Sequence, residues 1–122
     1  MLQTGIDLVQ VSRIQAVMTR YGDRFLLRVF TEDELAYCRG HADALAARFA
    51  AKEAVSKALG VGIHDQEGVG WREIRVVPNE RGKPEVQLSG RAARRAEEIG
   101  LRTFALSLSH TRDHAIAVVV AQ

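Results

Sequence analysis

The sequence predicts an α+β fold in which several helices pack on a largely antiparallel sheet. Helical and strand-like segments follow one another in mixed order, and the chain ends in two apolar strands, residues 104–109 and 115–121, joined by the turn HTRDH. Such a short connection joins antiparallel strands, because parallel strands need a long crossover. With 122 residues, of which 47% are hydrophobic and 26% charged, the chain fits one domain over residues 1–122.

The N-terminal part is predicted to be a strand followed by a helix. Residues 3–9 (QTGIDLV) alternate as a short strand, and Ser12 is the predicted N-cap of the next helix. Gly22 and Asp23 end that helix, and the short segment RFLLRVF (24–30) after them has no assigned structure. The apolar side of the predicted helix consists of Ile14, Val17, Met18 and Tyr21.

Two more helices are predicted before the middle of the chain. Thr31 and Glu34 have the spacing of a capping box, which predicts a helix over residues 32–39. Residues 42–59 form the longest helical pattern, which Gly60 closes. One face of this long helix is built from small residues that allow close packing against a sheet: Ala51, Ala54, Val55 and Ala58.

The second half is predicted to contain mainly strands and turns. It begins with the polar, glycine-bearing loop IHDQEGVG (63–70). The predicted elements after it are a strand over 71–77, a turn over 78–84, a strand over 85–88, a helix over 90–100 with charges on its outer side, and the two terminal strands.

Composition and charge exclude several classes of protein. The net charge of +2 is mildly basic and aromatic residues make up 6% of the chain, so we expect no nucleic-acid binding. The single cysteine, Cys38, rules out an intrachain disulfide framework and fits a reducing compartment. The sequence shows no signal peptide and no membrane-spanning run, so we expect a cytoplasmic protein without membrane association.

Asp7 is the first residue that indicates chemistry. It lies in the middle of the first predicted strand, next to Ile6, Leu8 and Val9, and aspartate is unfavourable in strands. Two interpretations are open: a functional carboxylate, or an acid that faces solvent or caps the next helix.

The long helix carries the second set of candidates. Phe49, Glu53 and Lys57 fall on one stripe, with Lys52 and Ser56 beside it. Glu53 and Lys57 form an i, i+4 pair worth about 0.3–0.5 kcal/mol at a surface, so a solvated face is one interpretation. The other joins Glu53 to Asp7, because two carboxylates from different elements can hold a Mg²⁺ ion that also binds water and phosphate oxygens. Lys57 would then neutralise phosphate charge.

The third candidate is SLSHTRDH, at the joint of the last two strands. Ser109, His110 and Thr111 offer hydroxyls, an imidazole and turn amides suited to phosphate or ribose, although His110 is equally interpretable as an ordinary turn residue. The sequence lacks a nucleophile elbow, and its single cysteine and four histidines lack the spacing of zinc ligands.

Four motifs together resemble the holo-acyl-carrier-protein synthases, the small stand-alone group of 4′-phosphopantetheinyl transferases. These motifs are GIDLVQVSRI, RFAAKEAVSKALG, RGKP and SLSH, in the family's order over residues 5 to about 120. The resemblance implies the family's fold and an Mg²⁺-dependent transfer of the 4′-phosphopantetheine group from coenzyme A to a serine of apo acyl carrier protein, releasing adenosine 3′,5′-bisphosphate. It implies a role in fatty acid biosynthesis, while the choice between fatty-acid and polyketide carriers and the identity of the proton acceptor stay open.

The resemblance also implies roles for individual residues. Asp7 and Glu53 match the magnesium ligands and Lys57 matches a lysine on the coenzyme A pyrophosphate, so these three are the expected catalytic residues. The nucleotide-binding surroundings of the coenzyme are matched by Arg48, Gly82, Lys83, Pro84, Ser109, His110 and Thr111. Arg13 matches an arginine that meets the acidic recognition helix of the carrier, and the expected extension of that patch is Arg20, Arg24 and Arg28.

The resemblance further implies a homotrimer whose active sites are shared between neighbouring subunits. One departure is Gln10, where the family often has glutamate. This departure removes a third acid near the metal and puts a base role at that position in doubt, but it leaves the two-carboxylate site intact. The loop HDQEGVG is atypical of the family and has no assigned role.

Two other classes of function are open from the residues alone. A non-catalytic binder of coenzyme A or of an acidic protein would keep the same surfaces without turnover. A nucleic-acid binder built on the scattered arginines would bind with steep salt dependence, but the interspersed acids disfavour it. Incubation with apo carrier, coenzyme A and Mg²⁺, followed by mass spectrometry, separates the transferase from both.

Overall fold

A computed structural model describes residues 1–63 and 68–122. The core of the loop predicted over 63–70 therefore lies outside the described residues. The described elements are, in order, β1 (Gln3–Gln10), α1 (Val11–Tyr21), α2 (Asp23–Val29), α3 (Glu32–Cys38), α4 (Ala42–Leu59), a 3₁₀ turn (Trp71–Glu73), β2 (Ile74–Pro78), β3 (Pro84–Leu88), α5 (Gly90–Glu98), β4 (Phe104–His110) and β5 (His114–Ala121).

The strands form a three-stranded sheet in the order β1-β5-β4 and a separate hairpin of β2 and β3. All of these pairs are antiparallel. The predicted α+β class, with helices on a largely antiparallel sheet, is confirmed.

Helix α4 is the central element of the core, because it packs against the inner face of the three-stranded sheet. Inward-facing positions of β5, such as Ala115, Ala117 and Val119, are fully buried, and so is most of α4. Gly5 on β1 faces the helix, and a Cβ atom there would lie 1.8 Å from the carbonyl oxygen of Ala54. Only glycine allows this approach of strand backbone to helix backbone.

The predicted helix ends with local capping signals are confirmed. At the start of α3, the Thr31 side chain accepts a hydrogen bond from the Glu34 amide and the Glu34 carboxylate accepts one from the Thr31 amide. Helix α4 spans the predicted residues and ends at Gly60, which adopts the left-handed conformation with φ 71°.

Four predictions of local structure differ from the observed elements. Ser12 is not an N-cap, because α1 begins at Val11, two residues earlier than predicted, and the Val11 amide donates to the Asp113 carbonyl oxygen instead. Residues 24–29 of the unassigned segment belong to α2, and Phe30 follows as its C-cap in an extended conformation. The strand predicted from residue 71 begins only at Ile74, after the 3₁₀ turn, and the helix predicted over 90–100 ends at Glu98.

Within the described ranges, every helix is too short or too polar to cross a membrane.

Candidate active site

Asp7, Glu53 and Lys57 come together where β1 crosses α4. Alternation along β1 puts Asp7 on the same face as Gly5, toward the helix. The Lys57 ammonium donates to the Asp7 carboxylate at 3.2 Å and to the Ile6 carbonyl oxygen at 2.8 Å. The salt bridge that the structure records for Lys57 therefore goes to Asp7 on another element, rather than to Glu53 one helical turn away.

The two carboxylates are close enough to influence one another. Burial raises the pKa of the Glu53 carboxyl, and the negative charge of Asp7 raises it further. The positive charges of Lys57 and Arg13 oppose this shift. Two acids in one partly buried site, with cations around them, form an arrangement that a bound divalent cation would stabilise.

This donor set fits Mg²⁺. Asp7 and Glu53, which lie close enough to influence one another, are the two carboxylates that could hold the ion here. Two carboxylates with the remaining positions left to water and phosphate oxygens are typical of protein magnesium sites.

Lys52 lies apart from this site, although it precedes Glu53 in the chain. Its side chain is completely buried, and its ammonium donates to Glu34 at 2.8 Å and to two backbone carbonyl oxygens, of Trp71 at 3.1 Å and Ile74 at 2.7 Å. Burial lowers the pKa of Lys52, while the neighbouring Glu34 charge opposes the shift. The interpretation of the charged residues of α4 as a solvated face is wrong for this lysine.

The four arginines expected to bind a carrier lie on α1 and α2. Arg13 is exposed, and its charge influences Glu53, so it lies beside the acidic pair. Arg20 lies over the ring of Tyr21, 5.3 Å from its centroid. A groove of about 260 Å³ separates the two helices, lined by Arg24 and Arg28 together with Val17, Tyr21 and Phe25.

Two of the expected coenzyme-binding residues lie near the N-terminal half of α4. The Arg48 guanidinium is buried over the ring of Tyr37, 4.6 Å from the centroid, and its Nε atom has no hydrogen-bond partner among the described residues. The imidazole of His110 lies 3.9 Å from the Asp43 carboxylate in the first turn of α4.

The remaining expected coenzyme-binding residues lie elsewhere. Ser109 points to the outer face of the sheet, opposite to His110, and the Thr111 hydroxyl accepts from the amides of Asp113 and His114 within the turn. The Gly82-Lys83-Pro84 turn is held by Asn79, whose carboxamide accepts from two turn amides. This turn lies at the far end of the β2–β3 hairpin, roughly 13 Å along the strand from Ile74 and its contact with Lys52.

Gly5, Glu34 and Glu73 hold the elements around the site in place, and the sequence pattern assigned none of them a functional role. Gly5 permits the close approach of β1 and α4, and Glu34 holds Lys52. Glu73 accepts hydrogen bonds from the amides of Gly70 and Arg91, which ties the 3₁₀ turn to α5. The capping-box spacing identifies Glu34, but only as a helix cap.

Comparisons with known proteins identify the family to which the chain belongs. Residues 3–119 match the family model described as 4′-phosphopantetheinyl transferase superfamily. The holo-[acyl-carrier-protein] synthase of Herpetosiphon aurantiacus is 51% identical over 124 residues, which cover 98% of each chain.

Solved structures of the same kind share the fold. The holo-[acyl-carrier-protein] synthase of Helicobacter pylori, solved in complex with coenzyme A, superposes with a TM-score of 0.87 at 32% identity, over 98% of this chain and 99% of that one. The enzyme of Neisseria meningitidis gives a TM-score of 0.87 at 35% identity, over 98% and 97%. The chain belongs to the 4′-phosphopantetheinyl transferase superfamily and, within it, to the holo-[acyl-carrier-protein] synthases.

Proposed function

We propose that this transferase moves the 4′-phosphopantetheine group of coenzyme A onto a serine of an acidic apo acyl carrier protein in an Mg²⁺-dependent reaction, within fatty acid biosynthesis. The observation that carries the proposal is the meeting of Asp7, Glu53 and Lys57 at the crossing of β1 and α4. The Helicobacter pylori relative was solved with coenzyme A, which supports the choice of donor.

In the reaction, the serine oxygen bonds to the β-phosphorus of coenzyme A and the bond from that phosphorus to the bridging oxygen breaks. Adenosine 3′,5′-bisphosphate leaves with the bridging oxygen, and the serine proton is released to water. Magnesium, when bound, neutralises the negative charge of the pyrophosphate. Asp7 and Glu53 would hold the ion, and the Lys57 ammonium would contact a pyrophosphate oxygen. Lys57 reaches this oxygen by leaving Asp7, a movement that its half-exposed side chain allows.

The coenzyme's nucleotide is proposed to bind beside the N-terminal half of α4. The buried guanidinium of Arg48, with its unpartnered Nε atom, is suited to a phosphate, because a guanidinium matches phosphate geometry. His110 lies in the same region. The Gly82–Pro84 turn is too remote within one chain to complete this site easily, and Ser109 faces the opposite side of the sheet, which favours a site completed by a second copy.

The outer face of the three-stranded sheet supports a homotrimer. On β1 and β5 this face exposes Ile6, Leu8, Ile116, Val118 and Val120. Large exposed side chains on neighbouring strands form an apolar surface of the kind that subunit contacts cover. Copies that meet through this face would bring parts of neighbouring chains to each active site.

Mass spectrometry of the acceptor tests the transfer. Apo acyl carrier protein incubated with enzyme, coenzyme A and Mg²⁺ should gain the mass of the phosphopantetheine group, and chelation of the metal should stop the gain. Asp7→Asn and Glu53→Gln should fold normally and lose about 10²- to 10³-fold in rate, as do enzymes that lose a charge-stabilising group. Full activity in either variant would refute the metal assignment.

Sedimentation or light scattering tests the assembly. The wild-type protein should have three times the 13.5 kDa chain mass, and Val118→Glu should give a folded monomer with little activity. A wild-type monomer with full activity would refute the shared site.

A further inference from the structure

The buried Lys52–Glu34 pair has no part in the chemistry proposed above, yet Lys52 directly precedes Glu53 in α4. Both side chains are 0% exposed. The Lys52 ammonium donates to Glu34 Oε1 and to the carbonyl oxygens of Trp71 and Ile74. These three bonds use its full donor capacity.

Glu34 extends this network to two further elements. Its Oε1 atom also accepts from the Thr31 amide at 2.8 Å, and its Oε2 atom accepts from the Val76 amide at 2.8 Å. The pair therefore joins α4 to the start of α3, to the 3₁₀ turn and to β2. Four segments meet at one ion pair that has no contact with solvent.

Consecutive helical residues point about 100° apart, so Lys52 points to the β2 side of α4 while Glu53 points to β1. An anchored Lys52 side chain restrains rotation of α4 about its axis. A rotation of about 10° would move a carboxylate roughly 6 Å from the axis by about 1 Å. Displacements of this size matter, because catalytic geometry must be held within about 0.5 Å.

A buried ion pair is not needed for stability as such. Apolar residues of similar volume often replace one without loss, although removal of one partner alone is strongly destabilising. The Lys52–Glu34 pair, however, also satisfies two backbone amides and two backbone carbonyl oxygens across four segments. An apolar pair could not make these bonds, so the ion pair has a geometric role that an apolar pair lacks.

We propose that Lys52 and Glu34 are positioning residues that orient α4 so that Glu53 meets Asp7 at the distance a divalent cation requires. This proposal rests on the assignment of Glu53 as a metal ligand.

The test uses the double variant Lys52→Met/Glu34→Gln, which removes both charges and keeps an acceptor for the Thr31 amide. Its folding is followed by the fluorescence of Trp71, the single tryptophan of the chain, during denaturation. In the folded variant we expect Mn²⁺ affinity, measured by electron paramagnetic resonance, to fall about 10- to 100-fold, as with other outer-shell changes. The kcat value should fall about 10²-fold, while the KM for the carrier stays within about twofold because α1 and α2 are unaffected.

Arg75→Gln is the matched control, because Arg75 pairs with Asp33 at the surface and so joins β2 and α3, two of the segments that the buried pair joins. Its hydrogen bond to Gln87 lies within the β2–β3 hairpin. The control variant should keep wild-type Mn²⁺ affinity and kcat. A folded double variant with Mn²⁺ affinity and kcat near wild type would show that the pair is merely structural and overturn the proposal.

Two further variants keep the test decisive. If the double variant does not fold, Glu34→Asp is judged by the same criteria, since it keeps both charges and withdraws the carboxylate by one methylene. Wild-type Mn²⁺ affinity in Glu53→Gln would instead refute the metal assignment, so a failure of the proposed site and a failure of the positioning role give different results.

Discussion

Replacement of Gly5 by alanine tests whether the spacing of β1 and α4 controls the site. The new Cβ atom would lie 1.8 Å from the Ala54 carbonyl oxygen, 2.7 Å from the Ala54 carbonyl carbon and 3.1 Å from the Ala58 amide nitrogen. All three atoms are helix backbone, so no side chain can turn away to make room. An ordinary carbon–oxygen contact needs roughly 3.5 Å, so strand and helix must separate by more than about 1 Å.

This separation has two expected effects. Overpacking a core typically lowers the free energy of unfolding by about 1–3 kcal/mol, or several degrees in Tm for a chain of this size. Because Asp7 follows Gly5 on the same face of β1, the separation also moves Asp7 away from Glu53. A shift of about 1 Å can lower the transfer rate about 10²-fold.

Gly100→Ala separates these two effects. Gly100 has a φ of 78° and open space around its Cα atom, so alanine there strains the backbone by about 1–2 kcal/mol at a position between α5 and β4. Both variants should melt earlier than wild type in a thermal scan, but only Gly5→Ala should lose activity in the carrier mass-gain assay at a temperature where both are folded. A folded Gly5→Ala enzyme with wild-type kcat and Mn²⁺ affinity would refute the argument from spacing.

Three further predictions concern charge and burial. The pKa of Glu53 is raised in the folded protein, so folding favours the protonated carboxyl and disfavours the carboxylate. The stability that the protonated Glu53 contributes is present below its ordinary pKa of 4.5 and is lost as the pH rises through the folded pKa. Metal-free Glu53→Gln should therefore match or exceed the Tm of the wild type at pH 7 and lose this advantage near pH 4; a lower Tm at pH 7 would contradict it. Burial raises the pKa of Cys38 to about 11, so about 10⁻³ of the thiol is ionised at pH 8, and iodoacetamide should label Cys38 only after denaturation; native labelling at the rate of a free thiol would be the contrary result. Arg24→Glu in the groove between α1 and α2 should raise the KM for an acidic carrier about tenfold at low salt, with a smaller effect at high salt; an unchanged KM would exclude this groove from carrier binding.

Local signals in the sequence predicted those parts of the fold that local contacts determine. The C-terminal end of α4 at Gly60 and the capping box of α3 follow from residues within one turn of the helix end concerned. The predicted start of α1 was wrong because a distant contact determines it: the first amide of the helix donates to the carbonyl oxygen of Asp113, about one hundred residues away.

The candidate site likewise has features that the sequence indicated and features that depend on distant contacts. From the residues alone, a joint site of Asp7, Glu53 and Lys57 was one of two open interpretations, and the resemblance to the holo-acyl-carrier-protein synthases favoured it over a solvated face. The burial of Lys52 was not predictable, since its partners are a carboxylate 18 residues away and two carbonyl oxygens of a later segment. Every residue carries a backbone carbonyl group, so residue type does not indicate which carbonyl oxygens will accept a hydrogen bond.

The alanine content of α4 connects the core to the site. The carbonyl oxygen of Ala54 faces the Gly5 backbone at a separation that leaves no room even for a methyl group on Gly5, which brings the strand close enough for the short side chain of Asp7 to influence Glu53. The charged residues of the helix then act in different directions: Glu53 and Lys57 toward β1, and Lys52 toward the hairpin. The small-residue face of α4 therefore does more than allow close packing, because it determines the separation of the Asp7 and Glu53 carboxylates. Substitutions that enlarge it should impair metal binding even where they leave the protein folded.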